Sequence, residues 1–154
     1  MINKTELTLL QKKIADYPER LSKLQKRQEM ITVPSATEIE AAIRGLNAYI
    51  IQLSATGNSF DKIEKEAAED TDKLLKLSNE LSQEEGDVPE TVQYSLVQMQ
   101  HILMTIQTHT ASLQELTENA KAAREKLELA LRQKKTLDVV NLLRMIEKGD
   151  GYRL

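Results

Sequence analysis

Cysteine and tryptophan are absent from this chain, and phenylalanine occurs once. Without cysteine there can be no disulfide framework and no thiolate zinc site. That absence fits a reducing compartment. Aromatic residues make up only 3% of the sequence, and five glycines and three prolines are the whole stock of strong turn formers. A compact catalytic domain ordinarily carries more aromatic bulk and more loop. No stretch approaches the roughly 18 consecutive apolar residues of a membrane span. The amino-terminal MINKTELTLLQKK also lacks an apolar run of signal-peptide type. The expectation is a soluble, cytoplasmic protein.

What the 154 residues do contain is Leu, Ala, Lys, Glu and Gln, with 29% charged side chains. That is the composition of long helices and coiled coils. The length allows one domain with a core of its own. The fold class expected is all-α: an elongated antiparallel bundle of three or four long helices with coiled-coil-like packing.

The segment IADYPERL places Pro18 inside an otherwise helical pattern. A proline in a helix interior costs roughly 3 kcal/mol, because it removes a hydrogen bond and crowds the preceding turn. Asp16 and Glu19 could form a capping box around a new start. Against a break stands the register. Leu7, Leu10, Ile14, Tyr17, Leu21, Leu24 and Ile31, with Gln28 in the one polar gap, step alternately by three and four. That seam crosses Pro18 without losing phase. The reading favoured is one helix over about 4–31, bent at Pro18.

Three further segments punctuate the chain. In TVPSATEIE, Pro34 stops the first helix, and Ser35 with Glu38 forms a capping box for the second. In SATGNSFDKIEK, Gly57 and Asn58 favour a turn and Asn58 with Asp61 could cap a new helix. In EEGDVPETV, Gly86 suits a left-handed C-terminal position, and Asp87, Pro89 and Glu90 suit a helix start. The second helix, about 36–56, carries Ile39, Ile43, Leu46, Ile50 and Leu53, with Gly45 marking a close contact. A third, about 59–84, carries Phe60, Ile63, Ala67, Leu74, Leu77 and Leu81, in a register shifted by one place. The shift is consistent with a break at Gly57, although a continuous helix could absorb it.

The last helical stretch, about 89–148, has neither proline nor glycine after Pro89. Its first part, VQYSLVQMQHILMTIQ, is apolar over a wide arc through Val92, Leu96, Met99, Ile102, Leu103 and Ile106, which implies two or more neighbours. Its middle narrows to Leu113, Leu116, Ala120, Ala123, Leu127 and Ala130. Its end is apolar on almost every side, at Leu137, Val139, Val140, Leu142, Leu143, Met145 and Ile146. These seven are the expected partner-binding residues. Thr136 and Asp138 could cap this end separately, and residues 149–154 form a tail.

Charge is distributed unevenly. Residues 61–90 hold 11 acidic and 4 basic side chains, −7, whereas residues 1–35 hold 7 basic and 4 acidic, +3. The two segments could attract one another in an antiparallel pair. The reading favoured for the acidic segment is a solvated face.

Sites for chemistry are hard to find. His101 and His109 lie eight residues apart, about 12 Å along a helix, too far to share a metal. Neither has the glutamate three residues earlier that di-iron bundles use. The glycines form no phosphate loop, and EAAEDTD lacks the central glycine of a calcium loop. No catalysis, cofactor or metal is expected. The basic clusters KLQKRQ and ALRQKK have no interleaved aromatics, and the net charge of −3 argues against nucleic acid. Acidic Asp138 and Glu147 argue against a membrane-surface helix at the end segment.

In general look the chain resembles coiled-coil adaptor subunits, helical secretion chaperones and spectrin-like bundles. The tryptophan typical of spectrin repeats has no counterpart, and no family is assigned. The expected function is non-enzymatic: a scaffold, adaptor or assembly subunit that binds protein partners through helical faces, with homodimerisation left open. The alternative is a helical chaperone for a secreted or assembling client.

Overall fold

The computed structural model describes residues 4–133 and 139–147. It is an all-α bundle of three long helices and one short one: α1 (Lys4–Glu29), α2 (Ile39–Glu85), α3 (Glu90–Gln133) and α4 (Val139–Glu147). Pro18 lies within α1, exposed, with the seam residues Leu10, Ile14, Tyr17 and Leu21 buried on the other side. The unbroken phase on either side of the proline decides for a single helix, since the ring points away from the packed face. The helix ends two residues before the expected position, where Met30 donates to the carbonyls of Lys26 and Arg27 and Ile31 to that of Gln28.

The expected break at Gly57 and Asn58 is not found. α2 continues through both, and no neighbouring atom lies within 4 Å of the place a Gly57 side chain would occupy. The reason is a seam that Ile43 and Ile50 do not follow. One line of buried positions runs Ala42, Leu46, Tyr49, Leu53, Thr56, Phe60, Ile63, Ala67, Asp70, Leu74, Leu77 and Leu81, with Ile50 and Ser78 buried beside it. Every step is three or four in strict alternation. Ala42, Tyr49 and Thr56 hold the places that the expected seam gave to Ile43, Ile50 and, by continuation, Gly57, and that one-place difference is what made the register look shifted after Phe60. Ile39 and Ile43, expected on the seam, are only half-buried. Nor is Ser35 the cap of α2. Ala42 donates to the carbonyl of Glu38, which puts the N-cap at Glu38.

Gly86 ends α2 with φ of 77°, the left-handed geometry that its sequence position suggested. α3 starts slightly later than expected. The Pro89 carbonyl accepts from Val92 and Gln93, while Asp87 accepts from the adjacent Val88 amide within the turn. Residues 134–138 lie outside the described residues. The continuity of the expected 89–148 helix there, the cap at Thr136 and Asp138, the partner residue Leu137 and the tail 149–154 all fall outside them.

Packing divides the chain into two compact units. The first comprises Met1–Leu24 and Ser59–His109. In it α1 runs antiparallel to α2, as ion pairs from Lys4 to Glu85 (4.0 Å), Lys13 to Asp70 (3.0 Å) and Arg20 to Glu66 show. The basic and acidic segments do attract one another here. Its core is filled by Ile14, Tyr17, Phe60, Leu74, Met99 and Ile106, among others. The second unit comprises Gln25–Asn58 and Thr110–Leu154. Leu46, Tyr49 and Leu53 of α2 are buried there with the small seam residues Ala120 and Ala123 of α3 and with Leu127. Arg124 donates to Asn47 at 2.8 Å on its surface. Gly45 fits the close contact expected of it, but against a loop: a β-carbon there would come within 2.6 Å of the Pro34 ring.

Candidate functional site

The seven expected partner residues separate into three groups. Leu137 is outside the described residues. Val139, Leu142, Leu143 and Ile146 are buried, so the second unit itself covers most of the apolar arc assigned to a partner. Val140 and Met145 are each 42% exposed. A cleft of about 190 Å³ separates α4 from the connection between α1 and α2. Pro34, Ala36, Thr37, Val140, Leu143 and Arg144 are among its lining residues. A helix apolar all round is a helix with neighbours on several sides, and here the chain supplies them at four positions.

A buried polar cluster lies in the first unit. Asp70, 2% exposed, accepts from the Tyr17 hydroxyl at 2.5 Å and from Lys13 Nζ at 3.2 Å. Lys13 also faces Glu66 at 3.6 Å, and Glu66 pairs with Arg20, whose guanidinium lies 5.1 Å from the centre of the Tyr17 ring. Burial, then the hydrogen bond and charge of Asp70, push the Tyr17 hydroxyl well above its ordinary range. The hydrogen bond to Asp70 raises Lys13 as well, against an opposing effect of burial. Each charge in the cluster has an opposite within it. That is the arrangement of a structural layer, in which a buried acid is tolerated because its partners come with it.

The histidines have separate surroundings. His109 stacks on the buried Phe60, centroids 5.4 Å apart and planes 3° from parallel. His101 is exposed. Among the described residues no three His, Cys, Asp or Glu side chains converge as a metal site, and no helix is long and apolar enough to cross a membrane.

The feature that sequence reasoning only half located is the outer face of α3. The wide apolar arc of residues 92–106 does not pack on all sides. Val92, Met99, Ile102 and Ile106 are buried, and Leu96 and Leu103 half-buried. A second stripe, displaced by two residues from the buried one, faces outward. Tyr94 is 67% exposed, Val97 62% and Met104 66%, with His101 and Thr108 between and beyond them. Positions 94, 97, 101, 104 and 108 again alternate steps of three and four. The hydroxyls of Thr105 and Thr108 turn back onto the carbonyls of His101 and Met104, at 2.9 and 3.0 Å. Their polar groups are thereby satisfied within the helix.

The signal that could have found this face is an absence of charge. Residues 91–114 contain no Asp, Glu, Lys or Arg, in a chain that is 29% charged. A solvated helix surface is where such residues ordinarily concentrate. Charge depletion together with exposed Tyr and Met is the composition of an interface core.

No protein-family model matches the chain, and neither a curated protein nor a solved structure matches it.

Proposed function

We propose that this protein is a non-enzymatic interaction module, a scaffold, adaptor or assembly subunit that engages other protein through helix–helix packing. The observation that carries this reading is the exposed, charge-free stripe of α3. A heptad-spaced apolar stripe is the form in which one helix recognises another. An exposed set of Tyr, Val and Met in one line is also a larger apolar feature than scattered surface residues would make. The polar cluster around Asp70 supports the same reading, since its charges neutralise one another and leave none directed at a substrate. Lack of cysteine fits a cytoplasmic setting.

The test is crosslinking and mass spectrometry of the full chain in its native cell, comparing wild type with Val97→Glu and Met104→Glu. A charge placed in an interface centre must be desolvated without a partner, which costs several kcal/mol. Protein crosslinks mapping to α3 should therefore disappear in both variants. Crosslinks that persist unchanged, or that never involve α3, would overturn this assignment.

A further inference from the structure

We propose that the outer face of α3 is a self-association surface on which two copies of the chain pair antiparallel, α3 against α3, about a two-fold axis at His101. This deepens the interaction-module reading and rests on it. Two properties select a second copy as the occupant.

The first is electrostatic. A surface that meets its own copy brings every charge near a like one, and like charges in contact oppose association. Within the first unit the outer face of α3 from Thr91 to His109 has no acidic or basic side chain apart from histidine. Apart from the two His101 rings that meet at the axis, it can therefore lie on itself without that penalty. The open groove beside it is similar. Gln11 and Ala15 of α1 face Thr91, Tyr94 and Gln98 of α3, and only Glu90 at the rim is charged.

The second is symmetry. A two-fold interface must be self-complementary, so that whatever residue i meets on its partner also meets i. Measured from His101, the stripe extends to Val97 and Tyr94 in one direction and to Met104 and Thr108 in the other. Reversed and laid on itself, it sets Val97 against Met104 of the second copy and Tyr94 against Thr108. Apolar groups meet apolar ones, and the threonine hydroxyl is already bonded to its own helix.

The area sets the strength. A 19-residue helix face is about 29 Å long and about 10 Å wide, or roughly 300 Å² per copy, against about 800 Å² in a standard interface. The flanking groove widens it, but the dimer is a dissociable one that forms with rising concentration.

Sedimentation equilibrium of the full chain from about 1 to about 500 µM tests this. The mass should climb from 17.5 kDa toward twice that value. Val97→Glu and Met104→Glu should each shift the midpoint at least about tenfold, with helical circular dichroism unchanged because both sites are exposed. Orientation is tested by single cysteines in a chain that has none. His101→Cys should form a disulfide-linked dimer. Val97→Cys should not, because in the antiparallel pair its two copies lie about 12 Å apart along the axis, beyond the roughly 7 Å that a disulfide spans. A monomer at every concentration would sink the proposal. So would a dimer indifferent to both glutamates, or Val97→Cys crosslinking as readily as His101→Cys. If the chain stays monomeric while α3 crosslinks to another protein in cells, self-association fails and the interaction-module reading stands. If neither occurs, both fail.

Discussion

The hydroxyl of Tyr17 donates to the Asp70 carboxylate at 2.5 Å, joining a seam position of α1 to a seam position of α2 in the buried middle of the first unit. An acid on the seam of a helical bundle costs stability unless it is paired, and in return it disfavours every register in which its partners are elsewhere. Sliding α1 by one turn would leave Asp70 without both Tyr17 and Lys13.

Removing the hydroxyl should therefore be expensive for so small a change. Tyr17→Phe keeps the ring and the packing but takes one donor from a buried carboxylate. Hydrogen bonds to charged groups contribute about 1.5–3 kcal/mol, and a loss of that size is expected in urea unfolding. A loss below about 0.5 kcal/mol, the ordinary range for surface substitutions, would mean that solvent satisfies Asp70 instead.

The same cluster gives the protein an alkaline limit. Tyr17 and Lys13 both titrate higher in the folded chain than their ordinary values near 10. Above about pH 10 the folded state then holds protons that the unfolded state has released, so stability falls as pH rises there and is complete below it. Melting temperature measured from pH 8 to 12 should decline above about pH 10, and Tyr17→Phe should decline less steeply than wild type. Parallel curves would remove Tyr17 from the account.

Gly57 sits in a continuous helix with open space around it. Gly57→Ala should stabilise the protein by about 1 kcal/mol, the difference in helix propensity. A turn at this position would give no such gain, so the sign of the change decides between the continuous helix and a break.

Gly45 is the opposite case. The Pro34 ring fills the place of its side chain, and Gly45→Ala should cost about 1–3 kcal/mol by overpacking despite the better propensity of alanine. Pro34→Ala should recover part of that loss. A double-mutant cycle measures the recovery, and additive effects would show that the two residues do not meet.

For α4, Leu142→Ala and Ile146→Ala should each cost about 2–5 kcal/mol, as expected of large-to-small changes in a core. Val140→Glu and Met145→Glu, at exposed positions, should change stability by less than about 0.5 kcal/mol. Equal tolerance of all four would mean that α4 does not belong to the core of the second unit.

Legible in the sequence were the helical class, the single helix through Pro18 and the left-handed end of α2 at Gly86, whereas the pairing of the basic and acidic segments was left open until the ion pairs placed them together. The first three follow from interactions between residues near one another in the chain: apolar spacing, cap chemistry, a glycine that can take positive φ. Tertiary structure decided what those rules leave open. Thr56 and Asp70 are buried although polar, because their places on α2 face inward whatever residue fills them, and a seam traced through the bulkier Ile43 and Ile50 in place of Ala42 and Tyr49 broke at Gly57. The apolar end segment and the apolar start of α3 look alike in sequence. Their fates differ because the second unit covers Val139, Leu142, Leu143 and Ile146, while Tyr94, Val97 and Met104 of the first unit stay exposed. Periodicity counts apolar faces, but only the arrangement of neighbouring helices determines which of them is left for a partner.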